Sequence, residues 1–130
     1  TAEIREKILK TDFPDSLYRI SRKEYEEIIK SIYKTAAQGC IDLQDKIGNY
    51  KEKRLSVYKE KKAEILEVLR EMPSPEEIKA ILEKGGLDIS EFYDMYGEEK
   101  IKNAVLYAKD LKDRYTVLWL NYDLFGGKNE

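Results

Sequence analysis

Tyr25, Ile28, Ile29, Ile32, Tyr33 and Ala36 recur at intervals of three and four residues, the signature of one apolar helix face. Ser21 and Glu24 stand ahead of this stripe at the spacing of a capping box, and Gly39 is expected to end or bend the helix. A shorter apolar set follows, Cys40, Ile41, Leu43 and Ile47, which stops at the turn-like Gly48-Asn49 pair. From about Tyr50 a long charged helix is expected, with Leu55, Tyr58, Ile65, Leu66 and Leu69 inward. It must end near Met72, because Pro73 disfavours helical geometry in its predecessor. Ser74-Pro75-Glu76-Glu77 then starts another helix: Ser74 accepts from the first free amides, Pro75 sits where a missing N–H is harmless, and Glu77 reaches back. That helix carries Ile78, Ile81 and Leu82 to Gly85-Gly86, and Asp88 and Glu91 cap a short helix broken at Gly97.

The last stripe, Ile101, Ala104, Val105, Ala108, Leu111, Tyr115, Leu118, Trp119 and Tyr122, reads as one continuous helix from Glu98 to Gly126-Gly127, with Lys128-Asn129-Glu130 as a frayed tail. Tyr115 to Leu120 is β-prone, so a buried strand is the rival there; the unbroken 3.6-residue period favours helix. Ile4, Ile8 and Leu9 mark a short first helix, Phe13-Pro14 a turn, and Leu17 to Ile20 is ambiguous. The expectation is an all-α bundle of about six or seven helices, forming a single domain or domain fragment over residues 1–130. Two thirds or so of the unfolded surface of such a chain can be buried, so no metal or disulfide staple is required.

Composition excludes several chemistries. There is no His among the 130 residues, so a histidine general base, a Ser/His or Cys/His nucleophile pair and any metal site with a His ligand are excluded within the chain. Cys40 is the single cysteine and lies in an apolar segment, which reads as a buried inert thiol. With 24 basic against 26 acidic residues there is no global pull toward nucleic acid or acidic membranes. The longest purely apolar run, Val117 to Leu120, is far too short for a membrane span, and no signal peptide is visible. A cytoplasmic location is therefore expected, without membrane or nucleic-acid partners. The chain opens on Thr1, which suggests processing, trimming or a cut boundary.

Candidate functional residues are few. The Glu pairs at 26–27, 76–77 and 98–99 point about 100° apart on a helix and make no two-carboxylate face; they read as solvated acidic turns. Between Lys51 and Lys62 six cations face only Glu52 and Glu60, beside Tyr50 and Tyr58. Such a stretch either tracks phosphates with stacking tyrosines or forms a solvated helix face, and the absence of an overall basic excess favours the latter. Ten tyrosines and one tryptophan suggest core packing with a wet hydroxyl rim more than a stacking surface. Gly85-Gly86 is a helix stop, since no strand precedes it and the G-x-G-x-x-G spacing is absent. The densest polar cluster is Lys109, Asp110, Lys112, Asp113, Arg114 and Tyr115. Helical spacing pairs Asp110 with Arg114 and Lys109 with Asp113, either as surface ion pairs or as a substrate-side or interdomain latch.

The run Tyr107-Ala108-Lys109-Asp110-Leu111-Lys112-Asp113-Arg114-Tyr115-Thr116-Val117-Leu118 resembles the closing segment of the sn-glycerol-1-phosphate dehydrogenases, of the iron-containing alcohol dehydrogenase and dehydroquinate synthase-like group. Met72-Pro73-Ser74-Pro75-Glu76-Glu77-Ile78 and the Gly85-Gly86 break are similar to the stretch that leads into it. The resemblance covers Met72 to Gly126; from Phe13 to Glu71 only helical character and order agree. It implies a parent in which an N-terminal domain binds NAD(P) and a helical domain holds a divalent metal, zinc or nickel, to interconvert dihydroxyacetone phosphate and sn-glycerol 1-phosphate. The chain would then be the distal part of that helical domain. Departures are clear: the family's one Asp and two His ligands cannot be carried over to a chain without His, the Gly-rich strand-turn-helix unit is absent, and Lys112 stands where Arg is common. No catalytic, cofactor-binding or metal residue is therefore assigned, and the isolated chain is expected to be inactive. Its expected partners are the missing dinucleotide-binding domain and a second copy, through aromatic residues of the first or last helix. The alternative is a free-standing helical interaction module that binds a protein or nucleic acid.

Overall fold

The structure, a computed structural model, describes residues 1–126. Among these, eight α-helices and no strand are found: α1 (Ala2–Lys10), α2 (Arg22–Tyr33), α3 (Ala37–Ile47), α4 (Leu55–Glu60), α5 (Lys62–Arg70), α6 (Pro75–Lys84), α7 (Ile89–Tyr107) and α8 (Val117–Phe125). Short 3₁₀ turns occupy Lys34–Ala36, Asn49–Lys51 and Ala108–Leu111. The all-α expectation holds.

Starts and stops written locally in the sequence are found where expected. Ser21 accepts from the Glu24 amide at the head of α2. At α6 the capping box is complete, with Ser74 Oγ accepting from Glu77 N at 3.1 Å and Glu77 accepting from Ser74 N at 2.7 Å. α3 ends at Gly48, whose φ of 79° is the left-handed conformation that terminates helices. At Gly97 (φ 73°) α7 kinks into two limbs, as the sequence suggested.

Other boundaries differ. The α2 stripe breaks at Lys34, the one non-glycine with positive φ (51°) among the described residues, while Gly39 lies inside α3. The charged helix begins at Leu55 and steps at Lys61 into α5. The continuous helix from Glu98 to Gly126 does not form: α7 tightens into the 3₁₀ turn at Ala108, Lys112 turns extended (φ −133°, ψ 158°), and α8 begins only at Val117. Leu111 and Tyr115, counted in the inward stripe, are therefore about half exposed. The strand rival is absent too, since Val117 to Leu120 is helical. The tail Lys128-Asn129-Glu130 and Gly127 lie outside the described residues.

α8 is the organising element. Trp119 through Phe125 are all buried, the polar Asn121 and Asp123 included. One side, through Trp119 and Tyr122, packs with Tyr25, Ile29, Ala37, Cys40, Ile41, Leu106 and Tyr107 from α2, α3 and the end of α7. The other, through Leu120, Leu124 and Phe125, packs with Ile4, Ile8, Tyr58 and Leu69 from α1, α4 and α5. Trp119 is fully buried, as expected. α6 and the first limb of α7 stand outside both clusters, and no side chain between Pro75 and Gly97 is buried.

Candidate functional site

Two networks of buried charge flank α8. The first centres on Lys109 and Asp110 in the 3₁₀ turn, both almost fully buried. Lys109 Nζ lies 2.7 Å from Asp110 Oδ2 and donates to the Tyr50 hydroxyl at 2.6 Å. Tyr50 in turn donates to Asp110 Oδ1 at 2.7 Å, and Tyr25 adds a second donor at 3.2 Å. The ammonium also sits 3.9 Å from the centre of the Tyr122 ring, 4.3 Å from Trp119, 4.7 Å from Tyr50 and 5.3 Å from Tyr107. Four aromatic faces thus supply the cation–π attraction that helps to hold a cation out of water. Burial pulls the Lys109 ammonium down to about 8, with Asp110 opposing that pull. The same burial pushes the phenols up: Tyr107 and Tyr33 to about 12, and Tyr25, Tyr50 and Tyr122 further. Burial also raises the Cys40 thiol, in keeping with an inert role.

Side chains from α2 and α3 fix the turn that carries this pair. Tyr33 donates to the Tyr107 carbonyl at 2.8 Å, and Gln44 donates to the carbonyls of Asp110 and Lys112 at 3.0 and 3.1 Å. These bonds take up carbonyls that a continuing helix would have satisfied, which accounts physically for the break after Leu111.

The second network surrounds Asp123, fully buried on α8. Arg19 reaches its Oδ1 at 2.7 Å, Arg54 stands 3.6 Å from Oδ2, and Tyr58 donates to Oδ2 at 2.5 Å. With the Tyr58 proton so engaged, Tyr115 is the donor in the 2.6 Å hydroxyl contact between the two tyrosines. Arg54 lies over the Tyr115 ring and is braced by Asn49. This chain of contacts surfaces at an open groove of about 570 Å³ between α4–α5 and the start of α8. Val57, Ile65, Val68 and Val117 line its walls, with Arg54 and Lys61 beside them.

The six residues singled out in the sequence are thus separated. Lys109 and Asp110 form the interior pair, Tyr115 borders the groove, and Lys112, Asp113 and Arg114 point to solvent. The pairings expected from helical spacing, Asp110 with Arg114 and Lys109 with Asp113, do not form, because the helix that would bring them together has ended. Sequence reasoning missed Asp123, Arg19 and Gln44; it placed Tyr58 inward, as found, and Arg54 only within the basic stretch. An acid inside the mainly apolar Val117–Phe125 run is the signal that marks the first of them. Tyr50 and Tyr58, read beside the basic stretch, both turn toward the interior, leaving its lysines as a solvated rim.

Metal and nicotinamide chemistry do not fit the residues present. Among the described residues no group of three Cys, Asp or Glu side chains converges so as to hold an ion, and no Gly-rich strand-turn-helix exists to cradle a pyrophosphate. No described helix is long and apolar enough to cross a membrane.

Large apolar side chains are exposed elsewhere. Ile81, Leu87, Phe92, Met95 and Tyr96 stand in solvent on α6, the following loop and the first limb of α7, with Met95 72% exposed. Phe92 packs on Tyr96 at 4.8 Å and meets Tyr93 edge-on at 5.8 Å. From Gly85 to Glu99 the chain carries five acids, Asp88, Glu91, Asp94, Glu98 and Glu99, and no base. The exposed aromatics are Phe92, Tyr93 and Tyr96 on α7 and Tyr115 ahead of α8, while Trp119, Tyr122 and Phe125 are buried. Comparison of the chain with known protein families, with curated proteins and with solved structures gives no match in any of the three.

Proposed function

We propose that the chain is a helical docking domain that works by binding another protein through the acidic, aromatic first limb of α7. The observation that carries this reading is the exposure of Phe92, Met95 and Tyr96 side by side in a segment, residues 85–99, that carries five acids and no base. Clustered exposed apolar side chains on a soluble helical surface mark association sites. Aromatic and Met side chains are the types enriched at such contacts. The charge selects the partner's chemistry: an apolar protein surface with a basic rim is attracted, and a phosphate backbone is repelled.

The groups with chemical potential support binding over turnover. Lys109 and Asp110 are spent on each other and on ring faces, and Asp123 on two arginines and a tyrosine. The reading is compatible with the resemblance to the sn-glycerol-1-phosphate dehydrogenases, which would set this docking domain at the far end of a two-domain parent.

The test compares the wild-type chain with Met95→Lys, a change at an exposed position that leaves both cores intact. Each is used to capture partners, with helicity checked by circular dichroism, and each is assayed with dihydroxyacetone phosphate, NADH or NADPH, and zinc or nickel. Expected are a partner bound by the wild type and lost by the variant, and no turnover by either. Identical capture by the two chains, or nicotinamide oxidation by the purified protein, rejects the proposal.

A further inference from the structure

Resting on that docking reading, we infer that the partner is a second copy of this chain: the first limb of α7 of one molecule lies in the α4–α5 groove of another. The two surfaces match in length, polarity and charge. On the groove side Val57, Lys61, Ile65 and Val68 follow one another along a single stripe, and Val57 and Val68 are more than half exposed. From residue 57 to residue 68 this stripe is roughly 16 Å long at the helical rise. The limb Ile89–Tyr96 is two turns, about 12 Å, and presents Phe92, Met95 and Tyr96 at i, i+3 and i+4. Its length and anchor spacing suit the groove, as in helix-in-groove recognition generally.

Charge fixes the pairing. The groove is lined by Arg54 and Lys61 against the single acid Glu64, and the limb Ile89–Tyr96 carries Glu91 and Asp94, with Asp88 at its cap, and no base. Like surfaces would therefore repel, limb against limb or rim against rim, while limb against rim attracts. The rim cations are available for this. Lys59 and Lys61 hold only exposed partners, Asp15 and Glu64, in pairs that exchange readily. Because the two patches differ, the contact is heterologous: each copy carries one limb and one groove.

That asymmetry supplies a decisive experiment on the full chain. Met95→Lys spoils the limb and keeps the groove, and Val68→Asp spoils the groove and keeps the limb. Both positions are exposed, so helicity and Trp119 fluorescence serve as folding controls. Sedimentation velocity over a wide concentration range should show reversible self-association of the wild type that weakens with added salt. Each variant alone should associate about tenfold or more weakly. An equimolar mixture of the two should associate where neither does alone, because one intact limb then meets one intact groove. A wild type that is monomeric throughout, a variant that associates like the wild type, or a mixture that stays silent overturns the inference. Failure is separable from that of the underlying reading: a monomeric wild type that captures a different protein in a Met95-dependent way sinks only the self-docking, whereas Met95-independent capture sinks the docking face itself.

Discussion

Removing the charge on Lys109 tests the interior pair most directly. In Lys109→Met the stem volume is nearly kept, but Asp110 loses its only cation within 4 Å among the described residues. It keeps the Tyr25 and Tyr50 hydroxyls, so the loss should fall at the lower end of the ~3–5 kcal/mol seen when one partner of a buried pair is deleted, about 3 kcal/mol. In Asp110→Asn the ammonium keeps the Tyr50 oxygen and four ring faces, and a similar loss of about 3 kcal/mol follows. If the sites were independent the double variant would lose about 6 kcal/mol, enough to unfold many small domains. Because the pair exists to cancel its own charges, the double variant should lose only about 3 kcal/mol, leaving a coupling of about 3 kcal/mol. Urea titration followed by the single tryptophan, which lies against the Lys109 ammonium, reads all four corners of the cycle, with circular dichroism as a second probe. Additivity within about 0.5 kcal/mol, or single losses below about 1 kcal/mol, would refute the account of a mutually dependent buried pair.

Other expectations follow from individual contacts. The Asn121 side-chain amide is buried with no hydrogen-bond partner among the described residues, so Asn121→Leu should stabilise the fold by about 1–2 kcal/mol; an unchanged or lower melting temperature contradicts this. Trp119→Ala should cost about 3–5 kcal/mol by chemical denaturation followed by circular dichroism, and a loss under about 1 kcal/mol would show that the ring is not in the core. A Cβ at Gly126 would run into the Tyr18 ring and lie 2.8 Å from the Tyr122 carbonyl, so Gly126→Ala should destabilise by about 1–3 kcal/mol and be partly rescued by Tyr18→Leu; a neutral single change argues against the close approach. Lys109, lowered to about 8, binds fewer protons folded than unfolded up to its ordinary 10.5, so its contribution to stability rises with pH across that window. Tyr33 and Tyr107, raised from 10 to about 12, bind more protons folded than unfolded, so their contribution is lost as pH climbs from 10 through 12. Urea midpoints should therefore rise slightly from pH 8 toward 10 and fall steeply above it; a steady decline from pH 8 would be inconsistent with the buried lysine.

Features governed by neighbours in sequence were legible, and those governed by neighbours in space were not. The capping box at Ser74, the left-handed stop at Gly48 and the kink at Gly97 depend on a few adjacent residues, and each could be read directly. The interruption between Ala108 and Thr116 depends on Tyr33 and Gln44, which lie far back in the chain and claim the carbonyls of Tyr107, Asp110 and Lys112. Counting apolar positions carried the helix straight through this point, and with it the mistaken pairing of Asp110 with Arg114. Asp110 was recognisable as a charge in need of a partner, but Lys109, its immediate neighbour, was not the expected one. On a regular helix adjacent side chains diverge, and only the tighter turn brings these two together. Asp123 went unread, and its arginines come from positions 19 and 54, which no local pattern connects to it.

The position of α8 in the chain also governs how folding can proceed. Both clusters close on this one helix, whose first residue is Val117, so α1 must find a partner more than a hundred residues downstream. Loop-closure entropy makes such long-range contacts late events. On the ribosome, α1 through α7 emerge able to pair α2 with α3 and α1 with α5, but the faces that α8 covers wait for it. Chain arrested before Val117 should thus be a protease-sensitive, loosely collapsed species, and release of the next nine residues should convert it cooperatively to the native state.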